Sequence, residues 1–344
     1  MKRNRTLIWI LGLVMLPILS ACRKDLCYNH YAAIDFQLNW EQEWERDYGA
    51  KHPENWDASK FDGTTYDALR PERPEWVSII EYSDEENPEE RFLNNKGGEV
   101  IIDGSSRKSF LLYNGDTEYI VISDIASLTE ARATATSRSR SSIAYINERH
   151  PNVRSMNPPD VLYAAYLEDV PEVKFHELCH LPVKMQPLVY TYVIRYEFES
   201  GQEHISQARG ALGGMAESVY LRNGVTSEES AIILYDCKVT SYGCEARVRT
   251  FGVPGFPDIY YGRAAGEAAP RPFSLNLEVL MFNGKTKEFN FDISDQIANQ
   301  PRGGVIVVKD LKINDEDALH GSGFQAEVDG WGKHEVVDLP VHAE

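Results

Sequence analysis

The stretch with the strongest claim to chemistry is His176-Glu177-Leu178-Cys179-His180, which matches the H-E-x-x-H pattern of zinc hydrolases. That chemistry needs two histidines one helical turn apart on one face, with the glutamate beside them as general base for a metal-bound water. Pro171 and Pro182 bracket the motif and leave at most the ten residues 172–181 for a helix. In an extended chain, Val173, Phe175, Glu177, Cys179, Leu181, Val183 and Met185 share one face. Lys174, His176, Leu178, His180, Pro182, Lys184 and Gln186 then share the other. His176 and His180 would stand roughly 13 Å apart at about 3.3 Å per residue, too far to share one zinc. Val183 also occupies the position where one zinc-protease group continues with glycine. The expectation is a strand with no catalytic residue, no metal and no cofactor. A zinc hydrolase built on His176, Glu177 and His180 is the remote alternative.

Other reactive arrangements are thinner. Gly210-Ala211-Leu212-Gly213-Gly214 is not followed by the Lys-Ser/Thr of a P-loop, so its small residues read as turn and close-packing positions. No G-x-S-x-G elbow and no zinc-type CxxC pair occurs. Cys237 and Cys244 flank the hairpin-like Lys238–Gly243 and form the candidate disulfide pair; small buried thiols are the alternative. Trp40, Trp44, Trp56 and Trp76 could stack on a sugar ring or simply pack.

The first residues carry a different chemistry. Lys2, Arg3 and Arg5 precede an apolar run from Leu7 to Leu19, which is too short to span a bilayer and suits a cleavable signal peptide. It ends in Leu19-Ser20-Ala21-Cys22, which resembles the lipobox of bacterial lipoproteins. There the cysteine thiol takes a diacylglyceryl group and becomes the first residue of the mature chain. The expected lipid attachment site is Cys22, with the outer membrane as the partner reached through the lipid; two or more acyl chains give stable anchoring.

Charge narrows the partners further. The whole chain carries −18, and the three cations of the signal segment take the mature chain to about −21. Such a surface repels phosphate backbones and anionic headgroups, which excludes nucleic acid as a partner. Hydrophobic residues at 42% suffice for a sizeable core, and the length suggests two domains.

The elements that must position these residues read as strands. Ile34, Phe36, Leu38 and Trp40 alternate with Asp35, Gln37 and Asn39. Trp76–Tyr82, Glu99–Asp103, Ser109–Tyr113, Glu118–Ile122, Val161–Tyr166, Leu188–Phe198 and Gly304–Lys309 are further strand-like runs. Asn114-Gly115, Asn223-Gly224 and Asn283-Gly284 each predict a hairpin with a type I′ turn. Residues 129–142, TEARATATSRSRSS, predict a flexible loop that leaves Arg138 and Arg140 open to a trypsin-like protease. The acidic run at 84–90 predicts a solvated loop, and 41–75 a long loop. No long helical pattern interrupts the series, so antiparallel β-sandwiches are expected. The boundaries are a signal peptide at 1–21, a lipidated tether at 22–30, an N-terminal sandwich at 31–184 and a C-terminal sandwich at 185–344.

Several stretches in order resemble one family, the fimbrial anchor and minor fimbrillin lipoproteins of the Bacteroidales type V pilus, with a closely related uncharacterised Bacteroides lipoprotein family. They are Cys22-Arg23-Lys24-Asp25-Leu26-Cys27-Tyr28, Pro159–Tyr163, Pro187–Tyr192, Gly214–Leu221, Thr250-Phe251-Gly252, the Asn283-Gly284 turn with Phe291-Asp292-Ile293, and Gly323–Trp331. The resemblance implies an all-β chain of two tandem transthyretin-like, fimbrillin-type sandwiches. It also implies no catalytic residues, a lipid-held position on the exterior of the outer membrane, and partnership with fimbrial subunits by β-strand addition. The Lys24-Asp25 pair after the cysteine is similar to the surface-export signal of such lipoproteins. The tryptophan-rich stretch at 41–75 has no counterpart there. A glycan-binding surface lipoprotein is the alternative function.

Overall fold

The structure is a computed structural model, and it describes residues 32–41, 63, 65, 73–83, 88–102, 107–140, 143–174, 177–257, 272–298, 300–314, 316–317 and 336–337. Cys22, Cys27, Trp44, Trp56 and His176 lie outside these residues. Strands dominate, as expected for an all-β chain, and they form a closed barrel, a two-layered sandwich and a small sheet beside them. Among the described residues no helix is long and apolar enough to cross a membrane.

The barrel uses β1 (Ala32–Trp40), β2 (Trp76–Tyr82), β3 (Glu89–Asn94), β4 (Gly97–Ile102), β5 (Lys108–Asn114), β10 (Tyr163–Val170) and β11 (Leu178–Pro187). Its order is β1-β11-β10-β5-β2-β3-β4, closing back on β1. The first strand closes it, antiparallel to β4 and parallel to β11. Period-two alternation sends Ile34, Phe36 and Leu38 inward, where they meet Val77, Ile79, Phe110, Leu112, Val183 and Met185. By contrast β2 and β5 are buried on both faces: Ile80, Leu111 and Tyr113 point out of the barrel into a second apolar cluster. A doubly buried strand reads as an unbroken apolar run, which is what Ser109–Tyr113 shows. The acidic run does not end in a loop, because Glu89 and Glu90 belong to β3.

The small sheet, β6 (Ile120–Ser123), β7 (Arg132–Ala135) and β14 (Ser218–Tyr220), lies in the order β14-β7-β6. Its Ala133 and Ala135 join Ile80, Leu111 and Tyr113 in the cluster outside the barrel wall. That cluster continues without a break into the sandwich.

One sandwich layer runs β18 (Thr286–Asp292), β17 (Ser274–Met281), β13 (Ile205–Ala216), β15 (Ser230–Thr240), β9 (Arg154–Met156) and β8 (Ser137–Arg138), with β20 (Val336–Val337) on β8. The other runs β16 (Gly243–Thr250), β12 (Tyr190–Ser200) and β19 (Gly304–Lys312). β15 belongs to both, pairing with β13 over its first part and with β16 at Lys238–Thr240. Between the layers the Tyr196 and Tyr235 hydroxyls meet at 2.7 Å, so two buried polar groups satisfy each other. The position 184/185 falls inside β11, and β8 and β9, which precede it, are paired with strands that follow it.

Only one of the three Asn-Gly hairpins forms between paired strands. Asn283-Gly284 joins β17 to β18, but Gly284 alone has positive φ (+80°), so the turn is not type I′. Asn223-Gly224 turns back on β14 through Gly224 N–H to the Tyr220 carbonyl, without a full hairpin. Asn114 is buried and makes no turn. Its side-chain Nδ2 donates to the Val161 carbonyl at 2.9 Å and its Oδ1 accepts the Tyr163 N–H at 2.6 Å, tying β5 to β10.

Candidate functional site

In the described part of the H-E-x-x-H stretch, Leu178, Cys179 and His180 open the strand β11. His180 lies on β11 directly opposite Asp35 on β1, with its Nδ1 2.8 Å from Asp35 Oδ2. Hydrogen bonds from Gln37 and then from His180 hold the Asp35 carboxyl below its ordinary range. The inward alternation of Val183 and Met185 leaves His180 and Lys184 facing out. Glu177 stands just before the strand with Lys174 3.9 Å away. His180 thus stitches the parallel pair that closes the barrel. Among the described residues no group of three or more His, Cys, Asp or Glu is placed to hold a metal ion.

The candidate disulfide is not formed: Cys237 and Cys244 are free thiols. Val239, not Cys237, stands opposite Cys244, so the cysteines are diagonal neighbours. Diagonal Cα atoms lie roughly 7–8 Å apart, beyond the usual span of a disulfide. Burial pushes Cys244 up to about 12 and Cys237 well above the ordinary thiol value, which favours the protonated thiol in both.

Residues 129–140, the described part of the stretch expected to be a flexible loop, depart most from that expectation. Instead of a loop they contribute β7 and β8 and begin a strap over the outer face of the sandwich. Three alanines in this stretch, 131, 133 and 135, are buried. Arg138 donates to the Leu234 carbonyl at 2.8 Å and to Asp236 at 3.1 Å. Arg140, 5% exposed, pairs with Glu278, which also takes a bidentate bond from Arg209 at 3.0 and 3.1 Å. The strap continues into α1 (Ala144–Arg149), whose Ile146 packs with Ile143 on Ala211, Ile232 and Leu234. Arg149 then reaches Asp292 at 2.8 Å. Next, His150 is buried against Gly213, where an added Cβ would fall 2.6 Å from its ring. Burial first, and then Arg149, lowers the His150 pKa. The signal for this strap was present in the spacing: Arg138 and Arg140 are two apart, hence on one face of an extended chain.

The described tryptophans do not cluster. Trp40 packs edge-on to Tyr163 at 5.0 Å and donates to the Asn95 carbonyl, while Trp76 meets the exposed Phe92 at 5.4 Å. Between β10 and β11, which pair only at their Tyr163–Pro187 end, lies a cavity of about 340 Å³ lined in part by Tyr166, Lys184 and Arg222. Its cations are already balanced: Arg222 pairs with Glu168 at 3.1 Å and Lys184 with Glu41 at 2.9 Å.

Comparison with known proteins agrees with the resemblance read from the sequence. A curated protein of Bacteroides ovatus, named "Putative fimbrium anchoring subunit Fim4B", is 22% identical over 99% of this chain and 100% of its own length. A solved structure described as a "putative adhesin from Bacteroides ovatus ATCC 8483" superposes with a TM-score of 0.54 at 18% identity, covering 85% of this chain and 97% of that one, and shares the fold. The fimbrial anchor protein Mfa2 from Porphyromonas gingivalis matches with a TM-score of 0.42 at 10% identity, over 81% of this chain and 90% of that one. A family model described as a domain of unknown function, DUF5119, matches residues 65–236, half of the sequence, and the chain belongs to that family.

Proposed function

We propose that the chain is a non-enzymatic cell-surface protein that anchors a fimbrium or mediates adhesion. The observation that carries this reading is the end-to-end match with a relative named for fimbrium anchoring, 99% of one chain against 100% of the other. The site chemistry supports it in one respect: His180 of the catalytic-looking motif is engaged with Asp35 across the barrel seam. In this reading Cys22 carries the lipid that holds the chain to the outer membrane, facing the exterior, residues 22–30 form the tether, and two β-domains follow. Fimbrial subunits are the partners, joined by strand addition, for which a sheet edge offers unpaired N–H and C=O groups.

The test compares sheared surface filaments from cells with the intact gene, without it, and with Cys22→Ala. Lost filaments, or long ones shed into the medium, are expected in both altered strains. Unchanged filaments with the protein still exposed on the cell would overturn the anchor reading. Labelled palmitate should enter the intact protein and not the Cys22→Ala form. Glycan binding is the second reading, favoured by Trp76 and the 63% exposed Phe92 side by side on the barrel. Polysaccharide should then change tryptophan fluorescence, and Trp76→Ala should remove the change.

A further inference from the structure

Among the described residues β19 ends its sheet, pairing with β12 on one side and with no strand on the other. Its Val305-Ile306-Val307-Val308 run is uncharged and β-branched throughout. An edge of that composition is a template for pairing with another chain. Proteins usually blunt such an edge with a charge, a proline or a bulge, and none stands within these four residues.

Two glutamine side chains occupy the place of the missing strand. Gln296 lies in α2 (Ser294–Ala298) and Gln300 follows it. Gln296 Oε1 accepts the Val307 N–H at 3.0 Å while its Nε2 donates to the Val307 carbonyl at 3.0 Å. Gln300 Oε1 accepts the Val305 N–H at 2.6 Å while its Nε2 donates to the Val305 carbonyl at 3.0 Å. Each amide thus presents one acceptor and one donor to a single residue, as a neighbouring peptide would.

The glutamines are held in place from several sides. Ile297, fully buried, pins α2 to the core. Gln300 Nε2 also reaches the Gln296 carbonyl at 3.2 Å, and the Gln300 carbonyl accepts the Tyr192 hydroxyl at 2.6 Å. Gly304 makes the room: at φ +151° its added Cβ would fall 1.8 Å from Gln300 Oε1. We propose that Gln296 and Gln300 are a built-in cap that keeps β19 from pairing edge to edge with a second copy of this chain. A second copy is the fitting partner because antiparallel pairing about a twofold axis lays the same neutral run against itself. The proposal goes beyond the fimbrial reading and does not depend on it.

Sedimentation velocity of the purified chain over a wide concentration range tests it. The intact chain should stay monomeric, Gln296→Ala with Gln300→Ala should double the apparent mass at high concentration, and adding Val307→Lys should restore the monomer. A double variant that melts cooperatively yet stays monomeric overturns the proposal, as does an intact chain that already dimerises. Should the double variant fail to fold, Gln296→Ala alone is read by hydrogen exchange. The Val307 amide should exchange roughly tenfold faster, the worth of one hydrogen bond, with Ile306 unchanged. An unchanged Val307 amide overturns the proposal.

Discussion

Around the barrel each strand has a neighbour on both sides, because β1 offers one edge to β4 and the other to β11. In the sandwich, β18 and β19 end their layers, and the outer face of one layer is covered by a strap of charged residues. The barrel packs apolar side chains inward and, through Ile80, Leu111 and Tyr113, outward as well, while its seam is stitched at the surface by His180 and Asp35. The sandwich has polar groups inside its packing, at Glu278, Tyr196 and Tyr235. The lesson is that a charged sequence can be the more deeply structural of two regions, and a catalytic-looking one the more superficial.

Substitutions can break that contrast. Phe36→Ala should have the largest effect. Phe36 is fully buried, meets Phe110 edge-on at 5.2 Å, and sits on the strand that closes the barrel. A loss of about 4 kcal/mol is expected from deleting a buried aromatic side chain, read as a lower urea midpoint with unchanged slope. A loss under about 1 kcal/mol would mean that β1 contributes no core packing.

Glu278→Ala should come next, at about 3 kcal/mol, because Arg140 and Arg209 would be left buried without their shared carboxylate. Freeing the strap should also open Arg140 to trypsin, to which the intact chain should be resistant there. Arg138→Ala, whose partner Asp236 is 60% exposed, should cost far less. Equal effects of the two would deny the strap its buried anchor.

His150 gives a smaller, pH-dependent effect. Its folded pKa lies below the ordinary 6.5, so the unfolded chain binds the proton more readily. Stability should therefore be fully present above about 6.5 and fall as pH drops below it. His150→Gln should flatten that part of the profile, and two parallel curves from pH 7 to pH 5 would refute the assignment.

The fold was largely legible where one physical cause acted alone. Alternation marked β1 and β11, apolar runs marked β5 and β19, and a strongly β-prone run marked β12. Legibility failed where the decisive partner was distant in sequence. Nothing near Arg140 announces Glu278, nothing near Asn114 announces the Val161 carbonyl, and Ala133 looks too small to order a strand until the barrel wall stands against it. Turn chemistry failed for a related reason: Asn-Gly suits a type I′ turn, but Asn114 was recruited by β10. The stop at Pro171 and Pro182, a local signal, was enough to read Leu178–His180 as extended.

His180→Ala should have the smallest effect and sharpens the comparison most. The side chain is 61% exposed and its partner Asp35 is hydrogen-bonded to Gln37 as well. An exposed pair of this kind contributes little to stability, which urea titration should place near its limit of detection. The pair also predicts a direction with pH: Asp35 is held below its ordinary value of 3.8, so the contribution exists above that value and is lost as pH falls through the lower, folded one. A zinc site would behave otherwise. Its histidine could not be removed without releasing bound metal and collapsing the local fold, and chelators would reproduce the loss in the intact protein. A purified chain that carries stoichiometric zinc, and loses both zinc and stability with His180→Ala, would turn the stitch back into a ligand. Equal melting curves with and without a chelator would leave His180 a cross-strand partner of Asp35, and the chemistry of this molecule in its surfaces.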